Sequence, residues 1–457
     1  MQTILIPIQP ELPRLLSASS DDTPWVITAT LVAAAVATPI AGRLGDMYGK
    51  RRVAMALLLL QAVGAILAAL SSTLVPMIIA RVLQGMAAGV IPLGISILRD
   101  VLPPRKLGSS IALVSATLGV GGALGLPLSA VVAENLDWHV LFWVAAGIAL
   151  LAFALYAVIV PASTVRNPGR LDVVGIIGLA LGLVGVLIAV SRGGQWGWGD
   201  ARTLAFLISG VVILLAWGVY ELRVAEPLVD LRVSARGTVL LTNLASVAMG
   251  FALFASNVVF PQLLQLPSVT GIGLGLSLTV AALVLAPSGL AMMAMSPVAG
   301  RLERLRGPKP LLVGGAAVIA VSYGAALVFH TEFWQILIVN ILLGVGIGLG
   351  YAAMPALIMS AVPATETGAA NGLNALMRSL GTSVAAAVVG AVLAQSMTEV
   401  GGVVGPSEGG FMITLALGLG AAVLCLVLAV FIPRPRNIAD AALPADELED
   451  PRPAPTH

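Results

Sequence analysis

Thirteen apolar runs, each bounded by charged or turn residues, divide this chain near 24–42, 53–71, 74–98, 108–132, 138–160, 172–191, 203–220, 238–264, 274–298, 310–329, 333–360, 367–396 and 410–432. Runs of roughly 18 to 26 residues are long enough to cross a hydrocarbon core of about 30 Å as helices. No water is available there to the backbone, so a run of this kind satisfies its own hydrogen bonds as a helix. Only 10% of the residues are charged, and mean hydropathy is +1.02. A soluble domain carries about 25% charge. The chain therefore reads as an all-α polytopic membrane protein, and its 50 glycines suit closely packed helices.

The hexapeptide Pro39-Ile-Ala-Gly-Arg-Leu returns as Pro297-Val-Ala-Gly-Arg-Leu, each copy closing an apolar run. The spacing persists, at 258 residues from Gly42 to Gly300, 259 from Gly85 to Gly344 and 260 from Gly108 to Gly368. Two halves thus share one helix-and-loop plan, in parallel repeat. Six-helix halves would repeat after roughly 200 residues, so the excess holds about two further helices of 20 residues each. The runs at 172–191 and 203–220 fill that space. The division expected is a six-helix bundle over 1–160, an extra helix pair over 161–220, a surface linker over 221–237, a second six-helix bundle over 238–432, and an acidic, proline-rich disordered tail over 433–457. Met1 to Leu16 has apolar character for only half a crossing, so a first helix, of about fourteen in all, is expected to be under way where the chain begins.

Charge placement gives an orientation. Loops holding Arg43 and Lys50–Arg52, then Arg99, Arg105 and Lys106, then Arg166 and Arg170, then Arg223, Arg232 and Arg236, then Arg301, Arg304, Arg306 and Lys309 alternate with loops at 72–75, 133–137 and 265–273 that have no Lys or Arg. Basic loops face the cytoplasm, so fourteen crossings put both termini there. Arg192 and Arg202, around Gly-Gly-Gln-Trp-Gly-Trp, are the exception on the outer side. Twenty-one arginines against three lysines suit a GC-rich bacterial genome, and hence an inner (plasma) membrane.

Little else is available for chemistry. Cys425 is the single cysteine, and His139, His330 and His457 have no ligand spacing, so no disulfide or metal centre is expected. Neither a Walker loop nor a nucleophile elbow occurs. An enzyme, a bound cofactor and a nucleic-acid partner are not expected.

The loop Gly42-Arg-Leu-Gly-Asp-Met-Tyr-Gly-Lys-Arg-Arg is the strongest local signal. Gly42, Gly45 and Gly49 permit a tight turn between helices. Asp46 can accept from a neighbouring helix N-terminus or an arginine, while Lys50, Arg51 and Arg52 anchor the loop inside. This loop resembles the G-x-L-a-D-r-x-G-r-r motif of the major facilitator superfamily, between its second and third helices. The resemblance implies a latch joining the two halves, with Asp46 served by Arg43 and Arg51; a simple positive anchor is the plainer reading. The second copy, GRLERLRGPKP at 300–310, has Arg304 in place of Asp46 and Arg306 in place of Tyr48. It lacks the acid in register and is expected to supply mainly positive charge.

Arg81 lies about a third of the way into its run, where even modest insertion scales set a cost of about 2.5–3.5 kcal/mol for a charge at mid-depth. With Gln84 and Gly85 it resembles the R-x-x-Q-G motif of the family's fourth helix, which the family links to proton transfer. A head group snorkelled to the outer interface is the alternative. Its carboxylate partner is either Glu134 or an aspartate of the incomplete first helix, where the family's D-x-T-I-V-N-V-A-L-P pattern would fall at or before Met1. The run Gly119-Val-Gly-Gly-Ala-Leu-Gly-Leu-Pro127 resembles the exporters' antiporter motif G-x-x-x-G-P-x-x-G-G; Gly121 and Gly125 keep the spacing, but Leu126 separates Gly125 from Pro127. Arg378, near Asn371 and Asn374, either serves a cavity or snorkels to the cytoplasmic end. Asn243, Asn257, Gln262, Gln265 and Asn340 are cavity candidates or helix-to-helix hydrogen bonds.

Together with the Glu226-Pro-Leu-x-Asp-Leu linker, these features resemble the fourteen-helix drug:proton antiporter branch of that superfamily. The resemblance implies proton-coupled efflux of drugs or other lipophilic small molecules by a monomer in the bilayer, through alternating access. A metabolite or nutrient permease and a non-transporting membrane sensor or scaffold are the alternatives.

Overall fold

The computed structural model describes residues 5, 8, 11–19, 22–161 and 169–433; within 104–135 a number of side chains, that of Glu134 among them, fall outside that description. Its helices are α1 (Leu12–Leu15), α2 (Trp25–Tyr48), α3 (Lys50–Ala69), α4 (Leu74–Met86), α5 (Val90–Val101), α6 (Pro104–Asn135), α7 (His139–Ile159), α8 (Val173–Trp196), α9 (Ala201–Glu221), α10 (Leu231–Ser234), α11 (Gly237–Gln265), α12 (Leu278–Ala294), α13 (Ser296–Arg306), α14 (Pro308–Ala326), α15 (Phe333–Ala361), α16 (Thr367–Gln395) and α17 (Glu408–Phe431). Among the described residues 12 spans are long and apolar enough to cross a membrane. The 32-residue α6 packs with them, against α12, α13 and α15. Each apolar run of the sequence falls on a long helix, save that 74–98 is shared by α4 and α5 and 274–298 by α12 and α13. The fourteenth helix of the sequence reading finds no counterpart among the described residues, which in the N-terminal stretch form only the four-residue α1. The tail beyond 433 lies outside them.

Helices overrun their apolar stretches where a charge is buried instead of reaching water. The α2 run ends at Gly42 by composition, yet the helix continues to Tyr48 because Arg43 and Asp46 are packed against neighbours. Gly49, at φ 106°, makes the turn into α3. Gly42 and Gly45, expected with Gly49 to permit that tight turn, are helical and serve close packing instead. The run at 274–298 splits at Met295, where Pro297 opens a second helix within its first turn.

Two seams follow from the repeat. Helix α2 packs along α16, and α6 packs along α12 and α13. Helices α8 and α9 pair through Gly182, Gly185 and Gly210, so closely that a Cβ on Gly185 would lie 2.8 Å from the Cα of Gly210. Helix α8 then rests on the first seam, with Leu179, Leu183 and Leu187 clustered with Ala35, Leu373 and Leu376. A two-stranded antiparallel hairpin, β1 (Met397–Val400) and β2 (Val403–Pro406), joins α16 to α17. Its two-residue turn is Gly401-Gly402, both at positive φ. The sequence reading contained no strand.

Candidate functional site

Where α2 ends and α16 begins, Gly42 lies flat against Gly368; a Cβ on Gly42 would overlap the Gly368 carbonyl oxygen and lie 2.7 Å from its carbon. This approach brings Asp46 to the first turn of α16. The Asp46 carboxylate accepts the N–H groups of Gly368 at 3.2 Å and Ala369 at 2.9 Å. Both amides are free of intrahelical partners at a helix start, so they form a ready anion site.

Lys50 completes the cluster. Its Nζ lies 3.8 Å from Asp46 Oδ1 and 2.7 Å from Asp100 Oδ2, and it donates to Thr367 Oγ1 at 3.2 Å. Ser96 and Thr367 share a further hydroxyl contact. Asp46, Lys50 and Arg81 are each 1% exposed, and Ser96 and Thr367 are fully buried. One ammonium between two carboxylates in such a dry site makes strong, charge-assisted bonds. Farther out, Arg99 donates to the carbonyl of Val362, and Arg236 to that of Ala361, capping α15.

Of the partners expected for Asp46, the neighbouring helix N-terminus is present and Arg43 still attracts the carboxylate, while Lys50 stands where Arg51 was expected. Arg51 donates to the Ala157 carbonyl at the end of α7, inside its own half, and Arg52 is exposed. Arg43 is buried beside a 220 Å³ cavity walled by the linker residues Glu226 to Asp230 and by Glu366 and Ala369. Asp100, Ser96 and Thr367 went unnoticed in the sequence; the signal was an acid beside Arg99 at a helix end, and a hydroxyl beside the repeat glycine Gly368.

The second seam mirrors the first. A Cβ on Gly300 would lie 2.5 Å from Ser109 Cα, and one on Gly108 would lie 2.5 Å from Glu303 Oε2. Ser296 donates to the Ala112 carbonyl across the same seam. The acid that looked absent in the second copy is Glu303, one residue before the register predicts it. Farther along α6, the tight contact is at Gly119, whose Cβ would meet Met292 Sδ at 2.5 Å. Gly121 has nothing within 4 Å, Pro127 is inside the helix, and no seam contact is described for Gly125.

Arg81 sits on α4 with its guanidinium directed at the Val26 carbonyl, 3.4 Å away, and at Gln84 Oε1. At 1% exposed, it is not snorkelled into an interface. Among the described residues no carboxylate pairs with it, and the side chain of Glu134 lies outside them.

In the second half, Arg378 places its guanidinium 4.7 Å over the Tyr351 ring, roughly 16 Å along α16 at 1.5 Å per residue. Asn374 donates to Asn243 Oδ1 at 2.9 Å and to Ser246 Oγ at 2.8 Å, and Asn340 donates to the Leu285 carbonyl at 3.0 Å. These three asparagines join helices. Asn257 and Gln262 are exposed along α11.

A family model described as Major Facilitator Superfamily matches residues 1–386 and 242–454. The chain is 28% identical to a tetracenomycin C resistance and export protein of Streptomyces glaucescens, over 87% of this chain and 74% of that protein. It is 27% identical to the lincomycin resistance protein LmrB of Listeria monocytogenes, over 92% and 91% of the respective chains. The crystal structure of the human organic anion transporter MFSD10 (TETRAN) superposes with a TM-score of 0.64 at 15% identity, covering 93% of this chain and 95% of the other.

Proposed function

This chain belongs to the Major Facilitator Superfamily and is a multi-pass membrane transporter, and from that premise we propose that it expels drugs or other small amphipathic molecules in exchange for protons. The observation that carries the reading is the bond set of Asp46 to Gly368 and Ala369, since it joins two repeat-related halves through groups that either meet or part. Resistance and export proteins among the relatives support the outward direction.

Alternating access needs a seam with two discrete states. With Asp46 on the α16 amides and Gly42 against Gly368, the latch end is shut, and a cargo site between the halves opens only to the other face. Parting them costs the charge-assisted bonds of Asp46 and Lys50, which cargo or proton binding elsewhere must offset. The positive-inside pattern supports a latch on the cytoplasmic face of a bacterial inner membrane. Arg81 is the group assigned to proton coupling, since a buried cation with one side-chain acceptor, Gln84, responds strongly to a nearby carboxylate gaining or losing charge. The working division remains two six-helix bundles with the α8–α9 pair between them in sequence.

Accumulation of fluorescent lipophilic cations and neutral drugs in pump-deficient bacteria, with and without a protonophore, tests this. Protonophore-sensitive exclusion supports the reading. Inward accumulation in oriented vesicles would make the chain a permease instead, and absence of any gradient-driven flux would reduce it to a sensor or scaffold.

A further inference from the structure

Asp172 and Glu221 close the latch end of the α8–α9 pair, one before the first residue of α8 and the other at the last of α9. They are 9% and 2% exposed. Asp172 Oδ1 is satisfied: it accepts the Gly175 N–H at 2.7 Å and the Tyr220 hydroxyl at 3.0 Å. Asp172 Oδ2 and both oxygens of Glu221 are buried without a hydrogen bond. Oδ2 of Asp172 and Oε1 of Glu221 crowd the same spot, since a Cβ on Gly175 would overlap the first and lie 2.6 Å from the second. Glycine at 175 is what lets the carboxyl groups converge.

The surroundings offer no counter-charge. The α2 and α16 faces toward α8 are apolar, with Val32, Val36 and Ile40 on one and Leu373, Leu376 and Leu380 on the other. On the linker, Leu228 and Val229 are buried, while Arg223 and Glu226 are exposed. Arg232 is spent on the Leu222 carbonyl, Asp230 on the amides of Arg232 and Val233, and Arg43 lies behind the linker in the cavity wall. The remaining donors near Glu221 are neutral, namely the amides of Leu228 and Val229 and the Trp217 indole. No Lys, Arg or His among the described residues forms an ion pair with either acid.

Two bare carboxylates within about 5 Å of each other repel strongly away from bulk water, and burying either adds a further cost. A single hydrogen removes both difficulties, because an O–H of Glu221 donates to Asp172 Oδ2 and gives that orphaned acceptor its partner.

We infer that Asp172 and Glu221 form a proton-binding site, holding one proton between them as a carboxylic acid–carboxylate pair at the foot of the extra helices. Asp172 is the ionised member, because its other oxygen already accepts two donors. The proton stays while the linker covers the pair through Leu228 and Val229, and leaves when that cover lifts and water enters.

The test is infrared difference spectroscopy of the purified full chain in lipid nanodiscs at pH 7, wild type against Asp172→Asn/Glu221→Gln. The expected difference is one carboxylic-acid carbonyl band and one carboxylate, equal to one proton per chain. Should the double variant not fold, Glu221→Gln alone loses the acid band, since Asp172 keeps Gly175 and Tyr220 as donors. Two carboxylates and no acid band would overturn the proposal. So would an acid band that appears only when choline replaces sodium, which would make the pair a monovalent-cation site.

Discussion

Gly42 and Gly368 touch backbone to backbone across the seam of the two halves, and their counterparts in the repeat, Gly300 and Gly108, sit on the second seam. The partners are not the same in detail: Gly300 meets Ser109, while Gly108 meets the Glu303 carboxylate as Gly368 meets that of Asp46. An internal duplication thus becomes two matched packing surfaces. What differs is the polar load, since Asp46 binds two free amides and Lys50, whereas Glu303 Oε2 is buried without a hydrogen bond.

Gly42→Ala is expected to hold the latch end open. Its added methyl has backbone, not a flexible side chain, to displace, and such overpacking costs about 1–3 kcal/mol. A shift of that size changes the balance of two states roughly 5- to 150-fold. Efflux from cells expressing the variant should fall accordingly at unchanged membrane level. Gly121→Ala, with open space around it, should leave efflux within about twofold. Equal effects of the two substitutions would remove the close-approach argument.

Asp46→Asn keeps the shape but gives up the charge that faces the α16 amides and Lys50. A charge-assisted hydrogen bond contributes about 1.5–3 kcal/mol, so at least a tenfold loss of transport is expected, with insertion into the membrane retained. Full transport by a variant present at wild-type abundance would reduce the loop to a positive anchor.

The long helices were legible in the sequence because apolar length and charge-bounded ends are local properties. The seams were half legible: the spacing of Gly42, Gly108, Gly300 and Gly368 identified the residues, but not which glycine faces which. Lys50 in place of Arg51 could not be read, since a basic residue's partner depends on where a helix 50 residues away ends, and Asp100 is that partner. The Asp172–Glu221 pair was invisible for a related reason, since one acid stood at the edge of the 172–191 run and the other at the start of the linker, 49 residues apart in the sequence.

The loop after α6 carries a pH-dependent contact. His139 donates its backbone N–H to Asp137 and adds a ring contact at 2.5 Å, and these hold the Asp137 carboxyl below the usual carboxylate range. A depressed value means stability that is present above the ordinary carboxylate pKa and is lost as pH falls through the lowered one. Asp137 is largely exposed, so the effect is small, at most about 1 kcal/mol. Asp137→Asn should lower the melting temperature of the purified protein slightly at pH 7, with the gap narrowing as the solution is acidified toward that range. A gap that widens on acidification would contradict the assignment.

Arg81→Ala is expected to uncouple transport from the proton gradient. The side chain is buried on α4, bonded to the Val26 carbonyl and to Gln84, so its removal leaves Gln84 without its buried cation and returns an acceptor on α2 to the dry interior. A structural role alone predicts a loss of protein level that Arg81→Lys would partly restore, with pH dependence unaltered in whatever transport survives. A coupling role predicts something different: normal abundance, cargo exchange along its own gradient, and efflux that no longer responds to a protonophore. Measuring cargo counterflow beside protonophore-sensitive efflux in the same vesicles separates the two, because counterflow needs the moving seam but not the proton. Intact counterflow with lost proton response assigns Arg81 to coupling, and an unchanged pH profile returns it to helix packing.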